Sequence, residues 1–167
     1  ELGLVGSEMC IRDSDSAGGG LALGVTLALK DNNMPLPNAV IPLSPWAELD
    51  PISSSYEINQ SLDPYITKDA ISAFRDIYIN DETELKNPYA SPVYGNFDGF
   101  PPILIQVGSR EVLLDDSKKI EERAKSYGCD VTLEIWDDMV HVFHGYAPFL
   151  PEANEAIDKI GLFISDK

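Results

Sequence analysis

The sequence predicts an α/β fold in which a mostly parallel sheet is flanked by helices. Strand-like and helix-like patterns alternate along the chain, as they do where helices connect the strands of a parallel sheet. Residues 102–108 are apolar almost throughout, which is typical of a strand covered on both faces. A length of 167 residues with 44% apolar residues is enough for one domain with a sizeable core.

The first predicted helix covers residues 17–30, where apolar residues recur at helical spacing. The positions predicted to face inward are Leu21, Val25, Ala28 and Leu29. Residues 38–44 predict a short buried strand, and a loop rich in Pro, Ser and acidic residues follows at 45–59. Residues 67–78 predict a second helix, for which Thr67 offers an N-cap.

The second half of the chain repeats the alternation more clearly. After a loop at 87–101, the apolar strand 102–108 leads to an amphipathic helix at 115–127. Residues 131–136 are enriched in β-branched and aromatic residues and predict another strand. A closing helix is predicted at 151–165. We find no internal repeat.

Composition and charge exclude several classes of function. The formal charge of −16 repels phosphate backbones and leaves no basic stripe, so we expect no nucleic-acid partner. No apolar stretch is long enough to cross a bilayer, and we expect no membrane partner. The two cysteines, Cys10 and Cys129, make neither a disulfide framework nor a zinc site.

The most informative feature is Ser16, which lies in a turn of small residues before the first predicted helix. A serine in the pattern G-x-S-x-G forms a strained turn between a strand and a helix, which exposes the hydroxyl as a nucleophile. The residues two before and two after the serine approach each other closely, so side chains there clash. Gly18 satisfies that requirement, whereas Ser14 occupies the position of the first glycine.

The residues before this turn are unusual. Residues 6–13 are polar and neither alternate nor form an apolar run, so they are a poor candidate for a buried strand. We expect residues 1–14 to be a non-native segment that precedes a partial domain at 15–167, and glycine to be the natural residue at position 14.

Three polar residues follow the ends of predicted strands, where the sites of α/β sheets gather. They occur in the order Ser16, Glu111, His141. A serine hydroxyl becomes a nucleophile when a base removes its proton, and His141 could be that base. Glu111 would hold the other ring nitrogen and stabilise the imidazolium. The backbone N–H of Ala17 could donate a hydrogen bond to the developing oxyanion.

Other assignments of these roles remain open. His144, expected to be a structural or surface residue, is an alternative base, and Asp115 or Asp116 could be the acid. The two aspartates also suit the start of the predicted helix through its dipole. Ser16 by itself could be only a helix cap.

Six segments of the chain, in this order, resemble the C-terminal half of the hormone-sensitive-lipase-like carboxylesterases, the α/β hydrolase fold-3 family. These segments are residues 15–19, 43–46, 87–92, 101–108, 111–116 and 141–143.

The resemblance implies the C-terminal part of an α/β-hydrolase fold, with part of the cap at about 45–100. It implies Ser16 as nucleophile, Glu111 as acid where many members have aspartate, and His141 as base. Trp46 is a candidate for lining the substrate pocket. The implied reaction hydrolyses small-molecule esters of short to medium acyl groups through an acyl-enzyme, with no metal or cofactor. We expect a cytoplasmic protein whose full-length parent is a homo-oligomer.

One departure from the family bears on activity. Family members carry an upstream His-Gly-Gly-Gly segment whose amides complete the oxyanion hole, and this sequence has none. Losing one oxyanion donor costs on the order of a hundredfold in turnover. We therefore expect the chain as written to be inactive and prone to aggregation. The alternative is a non-catalytic binding domain that keeps the fold.

Overall fold

A computed structural model of the chain describes residues 11–166. In this range one parallel sheet of four strands confirms the predicted fold class. The strands lie side by side in chain order. They are β1 (Ile11–Asp15), β2 (Ala39–Leu43), β3 (Ile103–Gly108) and β4 (Val131–Trp136).

The helices match the predicted ranges closely, with the exception of α2. They are α1 (Ala17–Asp31), α2 (Ser55–Ile58), α3 (Lys68–Tyr78), α4 (Leu114–Ser126) and α5 (Pro151–Ser165). The single turn of α2 lies in a segment predicted to be loop. The predicted cap of α3 is confirmed, because the Ala70 N–H donates a hydrogen bond of 3.1 Å to the Thr67 hydroxyl. Short 3-10 turns occupy Glu82–Lys86, Pro92–Tyr94 and Phe143–Tyr146.

The first strand was not predicted by the sequence analysis. Although its sequence is polar, β1 pairs in parallel with β2, with Ser14 opposite Pro42 and Asp15 opposite Leu43. At the edge of the described sheet a polar strand is tolerated, since the Asp15 side chain stays in solvent. Residues 1–10 lie outside the described range, so a non-native origin of residues 1–14 stays a prediction.

The inward face predicted for α1 was also wrong, since 55% of Leu21 is exposed. The buried residues of α1 are Gly19, Gly20, Ala22, Leu23, Gly24, Thr26 and Leu27. A β-carbon at Gly20 would overlap the Trp46 carbonyl, and one at Gly24 would overlap the Tyr89 carbonyl. The helix therefore presents its glycines to neighbouring backbone, which a search for large apolar residues misses.

The helices cover both faces of the sheet. On one face, Ile103 and Ile105 of β3 pack in a cluster with Leu23 of α1 and Ile120 of α4. On the other face, the Gln106 amide donates to the Ala156 carbonyl of α5 at 3.1 Å. Because the strands are parallel, their carboxyl ends meet at one edge, where the predicted site residues follow. Within residues 11–166, no helix combines the length and apolar character needed to cross a bilayer.

Candidate active site

Ser16 connects β1 directly to α1 and has a strained backbone. Its φ of 53° and ψ of −123° lie outside the regions that residues other than glycine usually adopt. Backbone hydrogen bonds on both sides hold this conformation. The Ser16 N–H donates to the Leu43 carbonyl at 2.9 Å, and the Ser16 carbonyl accepts from the Trp46 N–H at 2.9 Å. The sharp turn expected of a nucleophile is present.

Close approach across this turn is present as well. A β-carbon at Gly18 would overlap Ser14 Oγ and would lie 3.1 Å from Ser14 Cβ. The Ser14 side chain therefore occupies the space that the missing side chain of Gly18 leaves. One glycine is sufficient here, because only one of the two positions carries a side chain.

Glu111 and His141 form a buried pair at the ends of β3 and β4. His141 Nδ1 lies 2.8 Å from Glu111 Oε2, and only 8% of the His141 side chain is exposed. Glu111 is fully buried, and its second oxygen accepts hydrogen bonds from the Ser44 hydroxyl at 2.7 Å and the Gly108 N–H at 2.6 Å. The Glu111 carboxylate therefore has a hydrogen-bond partner on each of its two oxygens.

Ser44 was missed as a site residue by the sequence analysis. It follows the end of β2, and its hydroxyl also accepts a hydrogen bond of 3.2 Å from the Val142 N–H. Its φ of 45° is strained, and the following Pro45 restricts its backbone further. The rule that selected Ser16, Glu111 and His141, a polar residue just past a strand, also fits Ser44.

The structure brings the predicted acid and base into contact but leaves the nucleophile unbonded. Across residues 11–166, no hydrogen bond joins the Ser16 hydroxyl to the His141 ring. Hydrogen bonds nevertheless connect the two segments indirectly. The Ser16 N–H donates to the Leu43 carbonyl, and the hydroxyl of the next residue, Ser44, donates to the Glu111 carboxylate. Catalytic hydrogen bonds are often long before substrate binds, so this arrangement is compatible with a triad.

The alternative acids are engaged elsewhere. Asp116 accepts from the N–H groups of Ala47 and Glu48 at 2.9 and 3.0 Å, and from the Tyr56 hydroxyl at 3.2 Å. Burial raises the pKa of Asp116 to about 7, and the charge of Glu48 adds to the rise, against the two N–H donors. Asp115 accepts from the Ser55 N–H at 2.9 Å. Through these hydrogen bonds, both carboxylates hold the segment after β2 against the start of α4.

The alternative base is a buried structural residue. His144 is 8% exposed, and its Nε2 lies 2.9 Å from the Gln106 side-chain oxygen. Burial lowers the pKa of His144 to about 4, although the negative charge of Asp15 opposes this effect. A histidine fixed under the sheet edge in this way is a poor candidate for proton transfer to substrate.

A cavity of about 210 Å³ lies beside the start of α1. Ala17 and Trp46 both line it, with further apolar surface from Leu21, Tyr78 and Tyr89. Ala17 is the first residue of α1, where N–H groups lack an acceptor within the helix. The arrangement would place an apolar group of a bound molecule beside the Ala17 N–H, a hydrogen-bond donor without an acceptor in its own helix. In residues 11–166, no group of three or more His, Cys, Asp or Glu side chains could hold a metal ion.

Comparison with known proteins places these observations in a family. A sequence family described as alpha/beta hydrolase fold matches residues 13–145. An acetyl-hydrolase from Streptomyces hygroscopicus is 41% identical over 150 residues, which are 90% of this chain and 50% of that protein. An esterase from Acinetobacter venetianus is 35% identical over 92% of this chain and 50% of its own length.

Solved structures give the same result. The structure of EstE5 soaked with ethyl alcohol has a TM-score of 0.90 and 44% identity, over 93% of this chain and 52% of that one. An esterase from the bacterial hormone-sensitive lipase family has a TM-score of 0.89 and 41% identity, over 92% and 52%. The chain spans about half the length of the curated relatives and solved structures that it matches.

Proposed function

The chain belongs to the α/β hydrolase fold family, among esterases of the hormone-sensitive lipase group, and on this premise we propose that its site hydrolyses carboxylic esters through an acyl-enzyme. Ser16 is the nucleophile, His141 the general base and Glu111 the residue that orients it. Because the chain spans about half the length of its relatives, the proposal concerns the activity of the whole protein.

The observation that carries the proposal is the hydrogen bond of 2.8 Å between Glu111 Oε2 and His141 Nδ1. A carboxylate at Nδ1 favours the tautomer with the proton on that nitrogen, which leaves the Nε2 lone pair free to accept a proton. A buried histidine oriented in this way is suited to accept the proton of a serine nucleophile.

The reaction then follows in two halves. Ser16 Oγ attacks the ester carbonyl carbon while its proton passes to His141 Nε2, and the Ala17 N–H donates to the oxyanion. The intermediate collapses as the C–O bond breaks, and the alcohol leaves with the proton from His141. Water then attacks the acyl carbon as its proton passes to His141. The bond between that carbon and Ser16 Oγ breaks as the proton returns to Ser16, and the carboxylic acid leaves.

Substrate size is proposed from the cavity beside Ala17. Its volume of about 210 Å³ and its apolar lining suit a short to medium acyl group, with Trp46 contacting the chain. Each methylene buried there contributes about 0.8 kcal/mol to binding. We further propose that the substrates are small-molecule esters. The cytoplasmic location and the homo-oligomeric parent stay predictions.

The test is covalent labelling with a fluorophosphonate probe, which reacts with an activated serine. We expect mass spectrometry to find the adduct on Ser16, and Ser16→Ala to remove it. Ser91→Ala is the matched control, because Ser91 is buried and its hydroxyl accepts a hydrogen bond from the Leu49 N–H. Labelling at another residue would contradict the proposal. A folded whole protein that takes up no label would indicate a binding domain instead.

A further inference from the structure

We propose that the Ser44 hydroxyl is the positioning group that holds the acid and the base of the site together. It donates to Glu111 Oε1 and accepts from the N–H of Val142, the residue that directly follows the base. As a statement about catalysis this inference rests on the function proposed above. As a statement about the Glu111–His141 pair it can be tested without any turnover.

The first step of the argument is the orientation of Glu111. Three donors from three segments fix its carboxylate: the Ser44 hydroxyl after β2, the Gly108 N–H at the end of β3, and His141 after β4. Gly108 is only three residues from Glu111, so its bond fixes the acid within its own turn. Besides the base itself, Ser44 is the donor that ties the acid to a segment following another strand.

The second step concerns the segment that carries the base. Val142 directly follows His141 and has a φ of 50°, a left-handed conformation that is costly for a β-branched residue. The Val142 N–H donates to Ser44 Oγ at 3.2 Å. Removing the acceptor would leave this partly buried N–H without its partner next to the base. The same hydroxyl thus supports the strained residue beside His141.

The third step is the strain at Ser44 itself. Ser44 is fully buried at a φ of 45°, where glycine would fit without strain. Glycine, however, has no hydroxyl to donate to Glu111 or to accept from Val142. Strain of this kind persists where the surrounding structure requires a particular side chain. The backbone conformation and the side chain therefore favour different residues, which makes their roles separable by mutation.

The experiment uses two variants that both lack the hydroxyl but differ in backbone freedom, Ser44→Ala and Ser44→Gly. Because glycine tolerates the left-handed conformation, the test can be made even if the alanine variant does not fold. The control is Ser117→Ala, because Ser117 is equally buried and its hydroxyl has no partner in the described part of the chain. Unfolding by urea establishes that each variant is folded.

The first readout is nuclear magnetic resonance of the imidazole groups, since the sequence contains only two histidines. We expect the Nδ1 proton of His141, protected by Glu111 in the wild type, to exchange at least tenfold faster in both Ser44 variants. The His144 signals should be unchanged, because His144 is held by Gln106. Ser117→Ala should leave both histidines unchanged.

The second readout is the rate of fluorophosphonate labelling at Ser16, which we expect to fall about 10- to 100-fold in both Ser44 variants. Unchanged exchange at His141 in Ser44→Ala would overturn the inference. Recovery of wild-type exchange in Ser44→Gly would also overturn it, because only the backbone would then matter. If the whole wild-type protein takes up no label while exchange at His141 responds, the proposed function fails and the positioning role of Ser44 stands.

Discussion

The two halves of the site are built in different ways. The acid–base half joins Glu111 and His141 by side-chain hydrogen bonds that reach from β3 to β2 and to the segment after β4. The nucleophile half depends on backbone geometry at Ser16 and on the contact between Ser14 and Gly18. One half is thus fixed by polar contacts and the other by shape. Substitutions should therefore act on the first half through lost hydrogen bonds and on the second through steric overlap.

The largest effect is expected from breaking the acid–base half. His141→Ala should slow labelling of Ser16 by about 10³-fold or more, because it removes the proposed base for the Ser16 proton. Glu111→Ala should have a smaller effect, and the double variant should match His141→Ala, since the pair acts as a unit. Labelling rates measured over time check this. Additive losses would show that the two residues act independently.

The next effect concerns pH, because Asp116 and His144 lie buried around the acid–base half with pKa values shifted in opposite directions. The pKa of Asp116 is raised to about 7, so its contribution to stability is complete below about pH 4 and is lost as the pH rises through 7. The pKa of His144 is lowered to about 4, so its contribution is present above about pH 6.5 and is lost as the pH falls through 4.

The two contributions therefore oppose each other between pH 4 and 7. Asp116→Asn should make the free energy of unfolding rise more steeply with pH over this range, by at most about 4 kcal/mol in total. His144→Gln should change the slope in the opposite direction. Urea unfolding at a series of pH values measures both slopes. Equal slopes in all three proteins would show that neither group titrates as its burial implies.

A smaller effect is expected in the nucleophile half. Gly18→Ala should cost about 1 kcal/mol of unfolding free energy, because the Ser14 hydroxyl can rotate away but Ser14 Cβ stays 3.1 Å from the added β-carbon. Ser14→Gly should relieve most of this cost when both changes are combined. Urea unfolding and labelling of Ser16 should recover together in the double variant. A double variant as unstable as Gly18→Ala would mean that the two positions are not coupled.

The smallest effect is a control for the previous one. Gly161 also lies in a helix, α5, but a β-carbon there would meet open space. Gly161→Ala should therefore stabilise the chain by roughly 0.5–1 kcal/mol through helix propensity alone. The shift of the urea midpoint measures this gain. A loss of stability would show that helix glycines are required here for reasons other than close approach.

The sequence predicted the central strands and most helices because their patterns are strong. Strand 131–136 and helix 151–165 were predicted at their observed bounds. The β1 strand was missed because the prediction required an apolar buried strand, whereas β1 lies at the edge of the described sheet with Asp13 and Asp15 exposed. The local pattern of apolar and polar residues does not predict which strand lies at the edge of a sheet.

The site was predictable only in part. The residue types and their order pointed to Glu111 and His141, and the structure places their side chains in contact. The assignment of catalytic roles, including that of Ser16, stays a proposal. Ser44 also follows a strand, but its role was missed because that role depends on contacts with residues 67 and 98 positions away. No local periodicity encodes contacts at such a separation.

These separations also bear on the order in which the chain can fold. The three hydrogen bonds of the acid–base half close loops of 30, 67 and 98 residues. Contacts across long loops form late, since the entropy of closing them must be overcome first. During synthesis, Ser16 would leave the ribosome long before the segment that carries His141. A nascent chain would therefore display its serine without an activating base until the segment after β4 docks against Ser44.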